Sequence, residues 1–240
     1  MRNNFKSVIS IATTIAIVCG FQIAPVGSAE AVTKPSYCPS ATHRATTSVA
    51  LKLLNCLDVK GRAPKTGYDR SLFSDGWGER DGCDLRNYIL RRDLTSITYR
   101  PSPACTVASG VLKDPYTGHT INFLRGTSTS WKVQIDHVVA VSDAWQKGAQ
   151  QFTYPKRNAF YNDPLNLLAV DGPTNSQKSD SDAASWLPPS RSYRCKYVAR
   201  QVAVKLKYGI WVTLAEKAKI REVLNSTTSC QAYKIANSLW

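Results

Sequence analysis

The chain has 240 residues, and its 31 lysine and arginine residues against 17 aspartate and glutamate residues give a formal net charge of +14 at pH 7. That length suits one well-buried domain of ordinary size. The positive surplus favours polyanionic partners such as nucleic acid, anionic cell-wall polymer or acidic lipid, without choosing among them. After the first thirty residues no stretch is long and apolar enough to cross a bilayer, which excludes later membrane spans.

Residues 1–29 have the order of a secretory signal peptide. Arg2 and Lys6 precede an apolar stretch over residues 8–18, and small residues follow at positions 27–29. We therefore expect cleavage after Ala29 and export of the remaining chain, with no membrane association after cleavage. The apolar stretch is too short for a transmembrane anchor.

Export changes how the cysteines are interpreted. One of the seven, Cys19, lies in the predicted leader, and the six that remain are Cys38, Cys56, Cys83, Cys105, Cys195 and Cys230. An even number in an oxidising compartment predicts three disulfides. Their order along the chain suggests that neighbours pair, 38 with 56, 83 with 105 and 195 with 230, but the sequence leaves other pairings open. No C-x-x-C pair occurs, which disfavours a zinc site.

The first predicted elements are helices. Residues 30–60 form a predicted N-terminal lead-in, with a short helix over 46–57 where apolar residues recur at helical spacing. A loop rich in glycine, aspartate and lysine follows, and a second amphipathic helix is predicted within residues 84–97. We take residues 61–240 as one domain with its core at about 131–188.

A β-rich region comes next. Residues 104–126 contain two short apolar segments on either side of the turn signal Asp114-Pro-Tyr-Thr-Gly118, which predicts a hairpin. We then expect a strand over 131–141, a short helix over 142–153 and a strand over 165–172. A further helix is predicted over 173–187, beginning with a capping box between Thr174 and Gln177.

The C-terminal stretch, residues 191–226, predicts two helices broken at Tyr208-Gly209. The first carries five cations, which form either a solvated helix face or a surface that follows phosphates: Arg194, Lys196, Arg200, Lys205 and Lys207. The sequence does not choose between these two interpretations.

Asp136 and His137 stand side by side in the apolar run "VQIDHVVAV". Alone, such a pair fits a buried ion pair as well as the centre of an active site. Neighbouring residues on a regular strand point to opposite faces. Both can therefore serve one site only if the strand ends or twists there, or if a phosphate bridges the two directions. We expect irregular backbone at His137.

Three short motifs occur in order, "IDH" at 135–137, "NLL" at 166–168 and "NSQK" at 175–178, on a predicted strand, strand and helix. This arrangement resembles the HNH, or ββα-metal, nucleases. Longer segments, including "YDRSLF", "GCDLRNYILRRDLT", "NDPLNLLAVDG" and "RCKYVARQVAVK", are similar to secreted HNH-family nucleases of actinobacteria, and the catalytic part is similar to the C-terminal domain of GmrSD-type restriction enzymes. The resemblance implies an α+β fold with a ββα-metal core, flanked by additional helices and a β-hairpin and stapled by disulfides.

The resemblance also implies roles for the motif residues. Asp136 and Asn175 would hold one divalent cation, Mg²⁺ or alternatively Mn²⁺, which prefers oxygen ligands. His137 would be the general base, because its ordinary pKa lies near neutrality. Asn166 would hold the histidine and the loop after it in place, and Lys178 would meet a phosphate oxygen. Family members often have a histidine where Asn175 stands, so the metal affinity should be modest.

Three further residues are candidates for substrate contacts. Arg125 and Arg157 flank the predicted strands and are candidate phosphate contacts, and Trp131 is a candidate for stacking on single-stranded bases.

The predicted function is a secreted, monomeric, metal-dependent endonuclease that cuts DNA with low sequence specificity, with RNA as an open second substrate. The alternative is a non-catalytic basic protein that binds nucleic acid or another anionic polymer. A serine or cysteine hydrolase is disfavoured, because no G-x-S-x-G motif occurs and every cysteine outside the leader can be paired.

Overall fold

The structure is a computed structural model that describes residues 34–38, 49–231 and 233; the predicted signal peptide lies outside these residues. The helices are α1 (Ala50–Leu54), α2 (Leu85–Asp93), α3 (Val141–Gln146), α4 (Tyr154–Tyr161), α5 (Gly172–Lys178), α6 (Arg194–Tyr208), α7 (Leu214–Leu224) and α8 (Thr228–Gln231). The strands are β1 (Glu79–Arg80), β2 (Cys83–Asp84), β3 (Leu94–Tyr99), β4 (Val107–Lys113), β5 (Thr120–Leu124), β6 (Val133–His137) and β7 (Leu167–Asp171). The chain therefore has the predicted α+β architecture.

The strands pair into three small antiparallel sheets over the described ranges. β1 pairs with β2, β3, β4 and β5 form a meander, and β6 pairs with β7. The predicted hairpin is confirmed as β4 and β5. Helix α5 follows β7 directly, so β6, β7 and α5 form a strand, strand and helix unit.

The predicted helix over residues 84–97 is too long. Helix α2 ends at Asp93, and the residues from Leu94 onward pair with β4 as β3. The segment "LTSITY" contains three β-branched residues, which suit a pleated sheet better than a helix. Ser96 has a positive φ of 50°, and the register with β4 shifts between Thr95 and Thr98. Pairing with β4 thus decides the conformation of this segment.

The β6–β7 pair lies between two hydrophobic clusters. Val133 and Ile135 of β6 pack with α2 and the β3–β5 sheet. Leu168 and Val170 of β7 belong to the larger cluster, which also contains residues of α1, α6 and α7. Because successive side chains of a strand point to opposite faces, a strand pair covered on both faces reads as a nearly continuous apolar run. Asp136 and His137, at the end of β6, therefore lie at the edge of both hydrophobic clusters.

The helix predicted over 173–187 is shorter and begins earlier. Asp171, not Thr174, caps it: the Asp171 carboxylate accepts hydrogen bonds from the Thr174 N–H at 2.8 Å and from its hydroxyl at 2.6 Å. The predicted capping box is therefore wrong. A Cβ at Gly172 would lie 1.9 Å from the backbone oxygen of Trp131, so only glycine allows the start of α5 to approach the segment before β6 so closely.

Other helix predictions are confirmed in part. The C-terminal break is correct, since Gly209 ends α6 in the left-handed conformation at φ 73°. The helix expected over 142–153 is interrupted at Gly148, whose φ is 121°. Neither interpretation of the α6 cations, a solvated helix face or a phosphate-binding surface, holds for Arg200 and Lys205. Both are buried and bond to carbonyl and carboxylate groups of the core. Helix α4 has no counterpart among the predicted elements.

The cysteine pairs follow chain order. The Cα atoms are 5.5 Å apart in Cys38–Cys56, 5.8 Å in Cys83–Cys105 and 5.6 Å in Cys195–Cys230, the separation expected of disulfides. The first bridge ties the segment before α1 to its end, where α1 packs against α6 and α7. The last bridge joins α6 to α8.

Candidate active site

A cleft of about 340 Å³ lies at the carboxyl end of β6. Its walls come from residues 65–70, from the end of β6, from residues 140–142 at the start of α3 and from residues 175–180 at the end of α5. Asp136, His137 and Asn175 all line this cleft. The fold therefore brings together three of the four residues predicted to form the catalytic site.

The expected irregular backbone at His137 is not found. β6 pairs with β7 without a register shift from Val133 opposite Asp171 to His137 opposite Leu167. The two side chains lie on different sides of the strand, Asp136 against α5 and His137 against Tyr161. They line one cleft because β6 ends at His137, which leaves the end of the strand open to both sides.

Asp136 is buried and held by two donors. Its Oδ1 accepts a hydrogen bond from Lys178 Nζ at 2.9 Å, and its Oδ2 accepts one from the Tyr116 hydroxyl at 2.5 Å. Burial, and then the nearby Asp136 carboxylate, raise the pKa of Tyr116 well above its ordinary value, so this hydroxyl stays protonated and continues to donate. Asp136 thus has a fixed orientation at the edge of the cleft.

Lys178 is fully buried, and its Nζ also donates to the backbone oxygen of His137 at 2.9 Å. The ammonium group therefore bridges the two residues of the Asp-His motif. A phosphate contact by Lys178, as predicted, would require this group to leave its place beside Asp136.

His137 is also buried, and a hydrogen bond at Nε2 together with stacking on Trp77 fixes the orientation of its ring. Nε2 lies 2.8 Å from the Tyr161 backbone oxygen, so it carries the proton and donates, which leaves a lone pair on Nδ1. The ring stacks on Trp77, with centroids 5.7 Å apart and planes 10° apart. Burial, and then the positive charge of Arg70, lower the pKa of His137 to about 3. The imidazole is therefore neutral near pH 7, as a general base must be.

Asn166 holds the segment that follows His137. Its Oδ1 accepts a hydrogen bond from the Val139 N–H at 2.8 Å, and its Nδ2 donates to the Val139 oxygen at 3.2 Å. Its own backbone oxygen accepts from the Val138 N–H at 2.8 Å. Asn166 is fully buried and is not among the residues that line the cleft. Its contacts suit a residue that fixes the backbone beside the site.

Asn175 projects from α5 to the same face of β6 as Lys178. Its Nδ2 donates to Gln134 Oε1 at 2.8 Å, so the two polar residues of α5 meet Gln134 and Asp136, which are two apart on β6. Within residues 34–38, 49–231 and 233, no group of three or more histidine, cysteine, aspartate or glutamate residues is arranged to hold a metal ion. The oxygens that the sequence assigns to a metal are the Asp136 carboxylate, which already accepts hydrogen bonds from Lys178 and Tyr116, and the Asn175 amide oxygen. The cleft is also lined by the Asp180 carboxylate.

The predicted arginine contacts lie outside the cleft. Arg125 donates to the Val107 backbone oxygen and to Asn87 Oδ1, both at 2.6 Å, and the Arg157 guanidinium lies 5.8 Å from the ring centroid of Trp145. Neither arginine lines the cleft, and neither does Trp131, although its side chain is 53% exposed.

Four residues at or beside the site were missed by sequence reasoning. They belong to segments distant in sequence from the Asp-His motif: Arg70, Trp77, Tyr116 and Tyr161. Arg70 lies within "YDRSLF", a segment that carried part of the resemblance, but no spacing rule connects it to His137. Such contacts form only when the loop before β1, the turn between β4 and β5 and the end of α4 meet at the end of β6.

Two further features concern the described residues as a whole. In the part of the chain that the structure describes, no helix combines the length and apolar character required to span a membrane. The three disulfides fit an extracellular protein.

The chain is similar in sequence to one curated relative and to one protein family. A relative from Arthroderma benhamiae, an uncharacterized secreted protein, is 35% identical over 206 residues, which cover 85% of this chain and 97% of the relative. No solved structure matches the chain. The sequence family of the C-terminal domain of GmrSD restriction endonucleases matches residues 84–223, more than half of the chain, including every residue of the Asp-His, Asn and Asn-x-x-Lys motifs. The chain therefore belongs to the family of GmrSD restriction endonuclease C-terminal domains.

Proposed function

We propose that the protein is a secreted, metal-dependent endonuclease of HNH type that hydrolyses phosphodiester bonds of DNA with low sequence specificity. Membership in a restriction endonuclease family supports a nuclease-type hydrolase with a nucleic acid substrate. The observation that carries the residue assignment is that Asp136, His137 and Asn175 line one open cleft at the end of β6. The order β6, β7 and α5 around that cleft supports a ββα core.

His137 is the proposed general base. Its Nε2–H is held by the Tyr161 backbone oxygen, so a proton taken from water goes to Nδ1. The deprotonated water attacks phosphorus in line with the leaving O3′, the P–O3′ bond breaks, and O3′ takes a proton from solvent, giving 5′-phosphate and 3′-hydroxyl ends. The depressed pKa keeps the base neutral at and below neutral pH, although it also makes His137 a weaker base than an ordinary histidine.

Asp136 and Asn175 are the proposed ligands of one divalent cation, with Mg²⁺ as first choice and Mn²⁺ as the alternative. Their oxygens fit a hard cation that keeps several waters and uses one or two protein ligands. When bound, the cation supplies charge stabilisation at the phosphate and the leaving oxygen. Lys178, 2.9 Å from Asp136, opposes it by like charge, so we expect a weakly held, exchangeable ion.

Low specificity follows from the absence of a recognisable base-reading module in the sequence. Contacts between cationic side chains and phosphates would then dominate binding, and affinity should fall steeply with salt. We further propose that residues 1–29 are removed as a signal peptide and that the exported protein is a monomer.

A plasmid-nicking assay with the oxidised protein tests this function. We expect nicking with Mg²⁺ or Mn²⁺, loss of nicking with EDTA, and a decrease of about 100-fold or more for His137→Ala. His119→Ala is the matched control, because His119 is exposed and does not line the cleft. Nicking that survives both EDTA and His137→Ala would overturn the mechanism. DNA retention without cleavage over a range of Mg²⁺ and Mn²⁺ would instead support the non-catalytic binding protein.

A further inference from the structure

Arg70 reaches the cleft from a short helical turn that the preceding residue, Asp69, caps. The turn, Arg70–Leu72, is capped by Asp69, whose Oδ1 accepts hydrogen bonds from the Ser71 N–H at 2.8 Å and the Ser71 hydroxyl at 2.7 Å. The Asp69 carboxylate is therefore directed to Ser71 and makes no ion pair with Arg70. Arg70 itself is exposed, so a ligand in the cleft can approach it.

The charges of the cleft leave Arg70 uncompensated. Lys65 pairs with Asp180 at 3.1 Å, and Lys178 pairs with Asp136 at 2.9 Å. Across the described part of the chain, no carboxylate lies within 4.0 Å of the Arg70 guanidinium. Arg62, eight residues earlier, shows the contrast, because it pairs with two buried carboxylates. The cleft thus presents one unmatched positive charge.

Weak, uncharged contacts position this guanidinium beside the proposed base. Its Nε donates to the Tyr161 hydroxyl at 3.3 Å, and the group lies 5.1 Å from the centroid of the Tyr161 ring. Its Nη2 lies 3.4 Å from His137 Nδ1, the nitrogen proposed to take the proton from water. A phosphate oxygen is a much stronger acceptor for a guanidinium than either contact, and it can be bound by two parallel N–H groups.

We propose that Arg70 binds a non-bridging oxygen of the scissile phosphodiester and so places the phosphorus atom beside the water activated by His137. The negative charge of a phosphodiester gives Arg70 the anionic partner that no carboxylate of the cleft supplies. Binding also draws the Nη2–H away from His137 Nδ1, which frees that lone pair for the water. This inference deepens the proposed function and rests on it.

Steady-state cleavage of a short DNA duplex with Mg²⁺ tests the assignment. We expect Arg70→Ala to lower kcat/KM by about 100-fold, the loss typical when one preorganised donor to the reacting group is removed. Arg70→Lys keeps the charge but not the paired N–H groups, so it should recover part of the activity. Arg100→Ala is the charge-matched control, because Arg100 is exposed and lies outside the cleft. Its kcat/KM should remain within about two-fold of wild type, because at most it loses one surface contact with phosphate.

Chemical rescue separates a contact with substrate from a structural effect. Added guanidinium ion should raise the rate of Arg70→Ala relative to an equal concentration of NaCl, and it should not raise the rate of wild type or His137→Ala. Thermal unfolding of each variant checks that the fold is intact. Rates for Arg70→Ala that match wild type, or the absence of any rescue in a folded variant, would overturn the role of Arg70 while leaving the nuclease function in place. If the wild type itself does not cleave, both proposals fail.

Discussion

The Nζ of Lys178 lies 2.9 Å from Oδ1 of Asp136, and both side chains are buried at the end of β6. The ammonium group also holds the backbone oxygen of His137, so one cation organises both residues of the Asp-His motif. A buried ion pair of this kind contributes little net stability compared with an apolar replacement, but removing one partner leaves a buried charge unpaired.

Lys178→Met should therefore lower the free energy of unfolding by about 3 to 5 kcal/mol, because the Asp136 carboxylate loses its partner. Urea unfolding of the oxidised protein measures this change. The exposed Lys132→Met is the control and should change little. Adding Asp136→Asn to Lys178→Met should restore part of the loss, since no charge is then left unpaired. Equal stability of Lys178→Met and Lys132→Met would contradict this role of the pair.

His137 should make stability fall as the pH falls. Its pKa is about 3 in the folded protein, against about 6.5 when exposed, so between these values the unfolded chain binds a proton that the folded protein does not. The loss of stability caused by His137 is absent above about pH 6.5 and grows as the pH falls towards 3. From pH 7 to pH 5 this loss should reach about 2 kcal/mol.

The difference between wild type and His137→Asn in this pH dependence isolates the residue from other titrating groups. Urea unfolding at several pH values should give a shallower dependence for His137→Asn, whereas His119→Asn should follow wild type. Parallel curves for wild type and His137→Asn would show that the histidine is not buried in its neutral form.

Asn166→Ala should loosen the backbone that follows His137. The Val139 N–H and oxygen lose their side-chain partners, so amide exchange at Val139 should become faster while the β6 amides stay protected. We expect the nicking rate to fall by about 10- to 100-fold, as when residues that orient a metal site are removed. Asn122→Ala in β5 is an exposed control. An unchanged nicking rate together with unchanged Val139 exchange would rule out this positioning role.

A second buried charge cluster lies behind the cleft, next to the lining residue Ser142. Lys147 Nζ lies 2.6 Å from Asp143, 2.7 Å from Asp182 and 2.6 Å from Glu216, and all four side chains are buried. Although burial alone would raise it, hydrogen bonds and attraction from Lys147 lower the pKa of Asp182 to about 2. The cluster joins α3 and α7 to the segment after α5.

Lys205 and Arg62 also pair with these three carboxylates, so the charges of the cluster balance. Lys147→Met should lower the free energy of unfolding by about 3 to 5 kcal/mol, because it leaves one carboxylate in excess in the interior. The loss should change little between low and high salt, since buried pairs are poorly screened. Lys219→Met removes an exposed pair with Glu222 and should cost less than about 1 kcal/mol. Urea unfolding at two NaCl concentrations checks both statements; a loss for Lys147→Met that disappears at high salt would mean that water reaches the cluster.

The sequence by itself determined those helices and strands that a short apolar run, a turn motif or a terminating glycine marks. The apolar run around Asp136 and His137, the hairpin at residues 104–126 and the glycine at 209 each predict a correct element, because the signal lies within a few neighbouring residues. The resemblance carried by the three motifs grouped Asp136, His137, Asn166 and Asn175, and all of them except Asn166 line the same cleft.

Only the tertiary structure decided which groups surround those residues and in what state they are held. Leu94–Tyr99 becomes a strand because β4 pairs with it, and Lys178 is buried because α5 packs on the face of β6 that carries Asp136. Arg70 meets His137 across 67 positions of sequence. Contacts between distant segments depend on chain closure and burial, which no local periodicity encodes. The lowered pKa of His137 therefore emerges only when Arg70, Trp77 and Tyr161 pack around its ring.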